Sequence, residues 1–393
     1  MSIAKKIEAM QSGQSWIRKM FEEGARLKAK YGAKNVFDFS IGNPNLAPPE
    51  QFTTVLLNII RSSKTGDHGY MPNTGYPFVR QRIAEYLSKE QETPMTQDDI
   101  IMTCGAAGAL NVVFKAILDP GDEVICSAPY FVEYNTYVDN HGGVLRTVSS
   151  KEDFTLDMNA ISEAITNKTK AVLINSPNNP TGQIYSAESL KQLGNLLAEK
   201  GKKLNRTIYL ISDEPYRKIV YDGIEVPSLF PCYAESIIVT SYSKDLSIPG
   251  ERIGFLAVNP NSKFRNALLG GMALTNRILG FVNAPALMQR CVAELQGIHT
   301  DISAYARKRE LLCKGLAESG YIFEKPKGAF YLFPRSPIPD DVQFVQALQE
   351  ELILTVPGSG FKGQGYFRIA FCVDDETIIN SMSGFKKAIN KFK

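Results

Sequence analysis

Between about residues 50 and 285 the chain repeats one pattern: a short apolar run, a polar or glycine-containing turn, then helical spacing. "DIIMT" leads into "CGAAGALNVVFKAIL", "DEVICSA" into "PYFVEY", "KAVLIN" into "SPNNPTG", "TIYLIS" into "DEPY", and "SIIVT" into "SYSK". Strands alternating with helices predict an α/β fold with a largely parallel sheet, and such sheets bind ligands beyond the carboxyl ends of their strands. Upstream, Ile17, Met20, Phe21 and Leu27 sit at helical spacing behind Ser15 in an N-cap position, and "KNVFDFSIGNPNLAPP" reads as a strand entering a Gly/Pro loop. Downstream, residues 283–318 form one long helical stretch that reads as a connector. Beyond it "GAFYLFP", "LILTVPG" and "YFRIAF" read as strands, with helices at "DDVQFVQALQEE" and at Ile378, Met382, Phe385 and Ile389. The expected organisation is a large domain over 50–285, with 1–49 and 286–393 forming a smaller α+β domain from both termini.

Composition narrows the function classes. The 393 residues are 44% hydrophobic and 22% charged with a net charge of +3, a globular balance without the basic excess of a nucleic-acid binder. Six cysteines lie far apart with no CxxC pair, and the three histidines lack metal spacing, so neither a disulfide framework nor a metal site is expected. The N-terminus has no apolar signal core, and no run approaches about 18 apolar residues, so a cytoplasmic protein without a membrane partner is expected. "GSGFKG" satisfies GxGxxG, but a strand follows it closely where a dinucleotide fingerprint needs a helix.

The unusual residues cluster at strand ends. "CGAAGAL" opens a helix with small residues whose backbone N–H groups suit an anion, although close packing explains the same composition. Asp213 follows "YLIS" directly and needs a cationic partner if buried, with Tyr216 three residues on. Lys244 stands between Ser243 and Asp245 just past "SIIVT", with Ser241 before it and Arg252 after it. A free lysine, with a pKa near 10.4, is a poor nucleophile at pH 7, and desolvation beside an arginine would correct that. Taken singly each residue has an ordinary structural explanation. Together they supply what pyridoxal 5'-phosphate requires: an amine for the aldehyde, a carboxylate for the ring nitrogen, and backbone donors with a guanidinium for the phosphate.

At these residues the chain resembles the class I/II aminotransferases, the fold type I enzymes of the aspartate aminotransferase superfamily, over essentially its whole length. "SYSKDLSIPGERIG" resembles that family's lysine signature, which implies Lys244 as the Schiff-base residue and Ser241, Ser243 and Arg252 on the phosphate. "NSPNNPTG" implies Asn179 at the ring hydroxyl and the substrate, and "SDEPY" implies Asp213 at the ring nitrogen with Tyr216 at the ring hydroxyl. Gly105, Ala106 and Ala107 are then backbone phosphate contacts, and Phe131 stacks on the ring. "GYMPNTGYPFVRQRIAEYL" resembles the segment whose tyrosine, here Tyr70, reaches the phosphate of the neighbouring subunit, which implies a homodimer with shared sites. "YFRIAF" implies Arg368 for the substrate carboxylate, and "FSIGNPN" implies Gly42 in a segment that closes over substrate. The resemblance implies a mostly parallel seven-stranded sheet and a ping-pong exchange of an amino group between an L-amino acid and a 2-oxo acid such as 2-oxoglutarate. Lys244, Asp213 and Tyr216 would carry the chemistry.

Some bacterial aspartate aminotransferases resembling this chain carry a lysine for the side-chain carboxylate where this sequence has Ala107, so aromatic and neutral donors stand beside aspartate. Two rivals share the fold: a C–S β-lyase of sulfur amino acids, and a non-catalytic amino-acid-binding regulator. Steady pyruvate release from cystathionine marks the first, and saturable binding without turnover marks the second.

Overall fold

The computed structural model describes residues 3–12 and 16–392, so Ser15 and the side chain of Ile17 lie outside the described residues. Seven strands form one sheet: β2 (Ile100–Thr103), β3 (Glu123–Ala128), β4 (Val144–Ser149), β5 (Thr169–Asn175), β6 (Tyr209–Asp213), β7 (Ser236–Ser241) and β8 (Gly254–Val258). They follow a short β1 (Phe37–Asp38), and the spatial order is β2-β8-β7-β6-β5-β3-β4. All neighbours run parallel except β8, which is antiparallel to both β2 and β7. The expected fold class, an α/β large domain with a seven-stranded mostly parallel sheet and a smaller α+β part, is the observed one.

Helices cover both faces of this sheet, so its central strands are apolar throughout. The period of two sends Ile125, Val172, Leu210 and Ile238 to a cluster with Val79, Ile83, Leu193 and Met288. Their neighbours Val124, Leu173, Ile211 and Val239 pack with Leu110, Val113, Tyr134 and Met272 on the other side. Strand β4 lies at the edge and is largely exposed, so its sequence lacks the apolar run that reveals the others.

The expected connector over 283–318 is not continuous. It divides into helices Ala286–Ala293 and Ile302–Ser319. The turn between them holds Gly297 at φ +82°, a region that favours glycine, and Asp301 caps the second helix by accepting from the Ser303 N–H at 2.9 Å.

The remaining strands are β9 (Tyr331–Leu332), β10 (Ile353–Leu354), β11 (Val356–Pro357) and β12 (Phe367–Ala370). β11, β12 and β9 form an antiparallel sheet, and β1 pairs in parallel with β10, Phe37 opposite Ile353. A separate core of Phe39, Phe330, Phe344, Phe367 and Phe385 lies beneath them, against helices Ile302–Ser319, Asp341–Glu350 and Asp375–Asn390. Both ends of the chain therefore build the second core. Among the described residues no helix is long and apolar enough to cross a membrane.

Candidate active site

A cavity of about 280 Å³ opens at the carboxyl ends of the central strands, between the two cores. β6 ends in Asp213, and β7 is followed by the turn carrying Ser243 and Lys244, so adjacent parallel strands deliver an acid and an amine to one space. Lys244 Nζ donates to the Gly42 carbonyl at 2.9 Å, and no carboxylate is bonded to it. Burial pushes its pKa down to about 8, the positive charges of Arg368 and Arg252 add to the effect, and Cys372 opposes it. The ammonium ring contacts, 5.7 Å to the Phe330 centroid and 6.0 Å to that of Tyr216, leave this amine less solvated than any surface lysine.

Asp213 is buried, and desolvation raises its carboxyl pKa to about 7, with Glu214 adding to the rise and the Tyr134 hydroxyl working against it. Tyr134 donates to Oδ2 at 2.5 Å, whereas Oδ1 is buried with no hydrogen-bond partner among the described residues. Asn175, one strand over, donates from Nδ2 to the Asp213 carbonyl at 2.8 Å and accepts from the Asn179 N–H at 2.7 Å. Asn179 Oδ1 in turn accepts from Arg368 Nη1 at 3.1 Å.

Arg368 is buried on β12, its Nη2 donating to the Ser40 carbonyl at 2.6 Å while Nε has no partner. Its guanidinium lies 4.7 Å from the ring centroids of both Tyr331 and Phe361. The Tyr331 hydroxyl is 2.8 Å from that of Tyr216, and Tyr331 also fixes the Gly42 segment: a Cβ on Gly42 would stand 2.0 Å from the hydroxyl, so only glycine fits.

At the opposite end helix Gly105–Ile117 begins, its first N–H groups lacking intrahelical partners. Gly105 has φ +75°, and a Cβ there would come within 3.1 Å of Arg252 Nη2, so glycine lets the helix start approach the guanidinium closely. Ala106, Ala107, Ser241, Ser243 and Arg252 line the same cavity, as do Phe131 and Leu110. Among the described residues Arg252 itself is hydrogen-bonded only through Nη1 to the Pro249 carbonyl, at 3.0 Å.

The structure thus brings together Lys244, Asp213, Tyr216, Asn179, Phe131, Ala106, Ala107, Ser241, Ser243, Arg252, Arg368 and Gly42 around one space. Gly105 stands beside it through Arg252, and Tyr70 does not line it; Tyr70 is 95% exposed on the outer surface. Four polar or aromatic lining residues escaped the reading of the sequence: Tyr134, Tyr137, Tyr331 and Asn175. The spacing of Tyr134 and Tyr137 was a usable signal, because aromatic rings three apart share one face of the helix that follows Phe131.

Comparison with known proteins places this architecture. The family described as Aminotransferase class I and II matches residues 34–383. The chain is 32% identical over 371 residues to the probable aspartate/prephenate aminotransferase of Aquifex aeolicus, covering 91% of this chain and 92% of that protein. An aminotransferase from Eubacterium rectale superposes over all of both chains with a TM-score of 0.97 at 40% identity. The aspartate aminotransferase of Thermus thermophilus with maleate does so with a TM-score of 0.86 at 28% identity, over 99% of this chain and 100% of that one.

Proposed function

The chain belongs to the class I and II aminotransferases, and from that premise we propose how its cavity binds pyridoxal 5'-phosphate and which amino acids it serves. The family uses this cofactor, and the enzyme is a transaminase of amino acid metabolism. The residues present suit the group: a buried carboxylate oxygen without a partner at Asp213, an amine of depressed pKa at Lys244, and a helix start beside the Arg252 guanidinium. In this reading Ser241, Ser243, Arg252 and the N–H groups at Gly105, Ala106 and Ala107 hold the phosphate, and Phe131 stacks on the ring. Asn179 and Tyr216 bond the ring hydroxyl, and Tyr70 reaches the site of a second copy in a homodimer.

When bound, the cofactor supplies an aldehyde that condenses with amines and a conjugated ring that takes up the electron pair of a broken Cα–H bond. Asp213 holds a proton on the ring nitrogen. Lys244, with a pKa of about 8, exists partly as the free amine near neutral pH and can carry a proton from the substrate Cα. Arg368 clamps the substrate α-carboxylate, which fixes the direction of the Cα–H bond. Gly42 and the Tyr331 ring close the cavity above Lys244. The same reading takes 50–285 as the cofactor domain, 1–49 with 286–393 as the domain that closes on substrate, and the cytoplasm as the compartment.

Charge count points to the donor. The lining cations are Lys244, Arg252 and Arg368, and the chemistry above occupies all three. A second substrate carboxylate finds no further cation in this chain's lining, whereas Ala107, Leu110, Phe131 and Tyr137 offer an apolar and aromatic wall. This favours neutral or aromatic L-amino acids as donors, with aspartate served only if a cation comes from outside the cavity, and 2-oxoglutarate as an acceptor. The enzymes named for aspartate and prephenate among its relatives mark the neighbouring specificities. The test is an absorbance titration of purified holoenzyme with a panel of amino acids. Stoichiometric loss of the visible band with aromatic or neutral donors, in the absence of an oxo acid, supports the reading. Continuous pyruvate release from cystathionine, or saturable binding with no spectral change, overturns it.

A further inference from the structure

Tyr134 is the residue whose chemistry the family motifs leave without a use. It lies in the first turn of helix Glu133–Asp139, 1% exposed, with Tyr130 stacked on it at 6.3 Å and Phe131 edge-on at 5.6 Å. Two rings thus fix the orientation of its hydroxyl, which donates to Asp213 Oδ2. Burial and the neighbouring carboxylate hold the phenol pKa well above its ordinary value, so the group remains a donor at every working pH.

We propose that Tyr134 is a positioning residue: by occupying Oδ2 it leaves Oδ1 as the acceptor Asp213 offers to the cofactor's ring nitrogen, and its hydrogen bond favours the ionised carboxylate. Both parts follow from the surroundings of Asp213. Its Oδ1 is buried and unpartnered, and its main chain is fixed by Asn175, so the carboxylate has one bond fixed and one free. Glu214, Tyr216, Tyr137 and Cys126 are titratable groups near it, and Lys244, Arg252 and Arg368 line the same cavity. Among the described residues none of these is hydrogen-bonded to the carboxylate; Glu214 disfavours its ionised form, and the Tyr134 hydrogen bond favours it. Without that bond, desolvation and Glu214 act unopposed, and a protonated Asp213 no longer forms an ion pair with a pyridinium.

The inference rests on the cofactor reading above, and its test separates the two. Cofactor-free protein is titrated with pyridoxal 5'-phosphate and with its carbocyclic counterpart, which has carbon in place of the ring nitrogen. Tyr134→Phe is expected to weaken binding of the first by about tenfold, the scale of one hydrogen bond to a charged group, and to leave the second within about twofold. In the holoenzyme kcat falls by about tenfold or more while KM changes little, because the substrate contacts are untouched. Incorporation of 3-fluorotyrosine at position 134 keeps the ring's shape with a stronger donor, and is expected to move the ratio of the two affinities the opposite way. Equal losses for both compounds in Tyr134→Phe, or a ratio that neither variant moves, overturn the proposal and leave a packing role. Wild-type protein that binds neither compound overturns the cofactor reading, and the proposal with it.

Discussion

Two largely buried lysines line separate pockets and differ in what they face. Lys244 points into the cavity, where among the described residues it hydrogen-bonds only to a backbone carbonyl, and its pKa falls to about 8. Lys218 points behind the sheet, lies 3.3 Å from Asp245 and 4.8 Å from the Tyr86 ring, and burial against its charge is outweighed by Asp245, so its pKa rises. The acids divide the same way. Asp213 faces the cavity with an empty oxygen, while its successor Glu214 turns away to Arg217, 3.0 Å distant, which also meets Glu90 at 3.0 Å. Along the chain, then, these two cavity residues are each followed directly by one that is neutralised elsewhere: Asp213 by Glu214, Lys244 by Asp245. The rear layer is compensated and serves the fold; the front layer is left uncompensated, which is the state useful to chemistry.

The sharpest way to break this contrast is to remove the front lysine. Lys244→Ala is expected to lower transamination by about 10⁴-fold, the upper range for a lost proton-transfer group, while the protein stays folded. Borohydride reduction of the wild-type holoenzyme followed by peptide mapping should label the segment Ser241–Arg252, and Lys244→Ala should abolish that label. Normal turnover in the variant would erase the difference between the two lysines.

The rear pair should respond through stability instead. Asp245→Asn leaves Lys218 buried without its acid and is expected to cost about 3–5 kcal/mol in denaturant unfolding. Replacing both together, Lys218→Met with Asp245→Leu, should recover most of that loss. If Asp245→Asn left stability unchanged, the layer behind the sheet would not be a compensated pair.

The smallest effect has the most distinctive sign. A lysine whose folded pKa lies below its unfolded value binds fewer protons when folded, so it costs stability at low pH and the cost fades as pH rises from about 8 through 10.5. Lys244→Met in the cofactor-free protein should therefore raise stability at pH 7 by about 3 kcal/mol, with the gain shrinking above pH 8. Lys218 has the reverse slope: its raised pKa gives a contribution complete at neutral pH and lost as pH rises through the folded value. Unfolding curves between pH 7 and 10.5 distinguish them: the Lys244→Met gain shrinks across this range, whereas the Lys218 contribution stays constant there and falls only at higher pH.

How much of this could be read from the sequence depends on which interactions announce themselves locally. Asp213 and Lys244 were legible because each charged side chain stands at the end of an apolar run, and a buried strand tolerates such a residue only beyond its edge. Arg368 was legible as a cation between Phe367 and Ile369. Tyr134 and Tyr331 were not, since an aromatic residue in an apolar neighbourhood is what a core also requires, and only the distance to Asp213 or to Gly42 reveals the hydroxyl's task. The exposed strand β4 and the antiparallel β8 left weak traces for a related reason: register against neighbours distant in sequence, not local composition, makes them part of the sheet. The break at Gly297 was hidden because a single turn between two amphipathic segments does little to disturb helical spacing.

The pairing of β1 with β10 bears on how the molecule comes into being. Phe37 and Asp38 are made before any strand of the large sheet, yet the backbone they bind, and the arginine that grips the Ser40 carbonyl, are made only after all of it. Closing so large a loop carries an entropic cost that grows slowly with its length, and contacts between distant parts of a chain form late. A truncated product ending before Ile353 therefore retains every strand of the large sheet but lacks both the β10 backbone and Arg368 that hold the N-terminal segment over Lys244, so such prematurely terminated chains carry the amine without the roof that shields it.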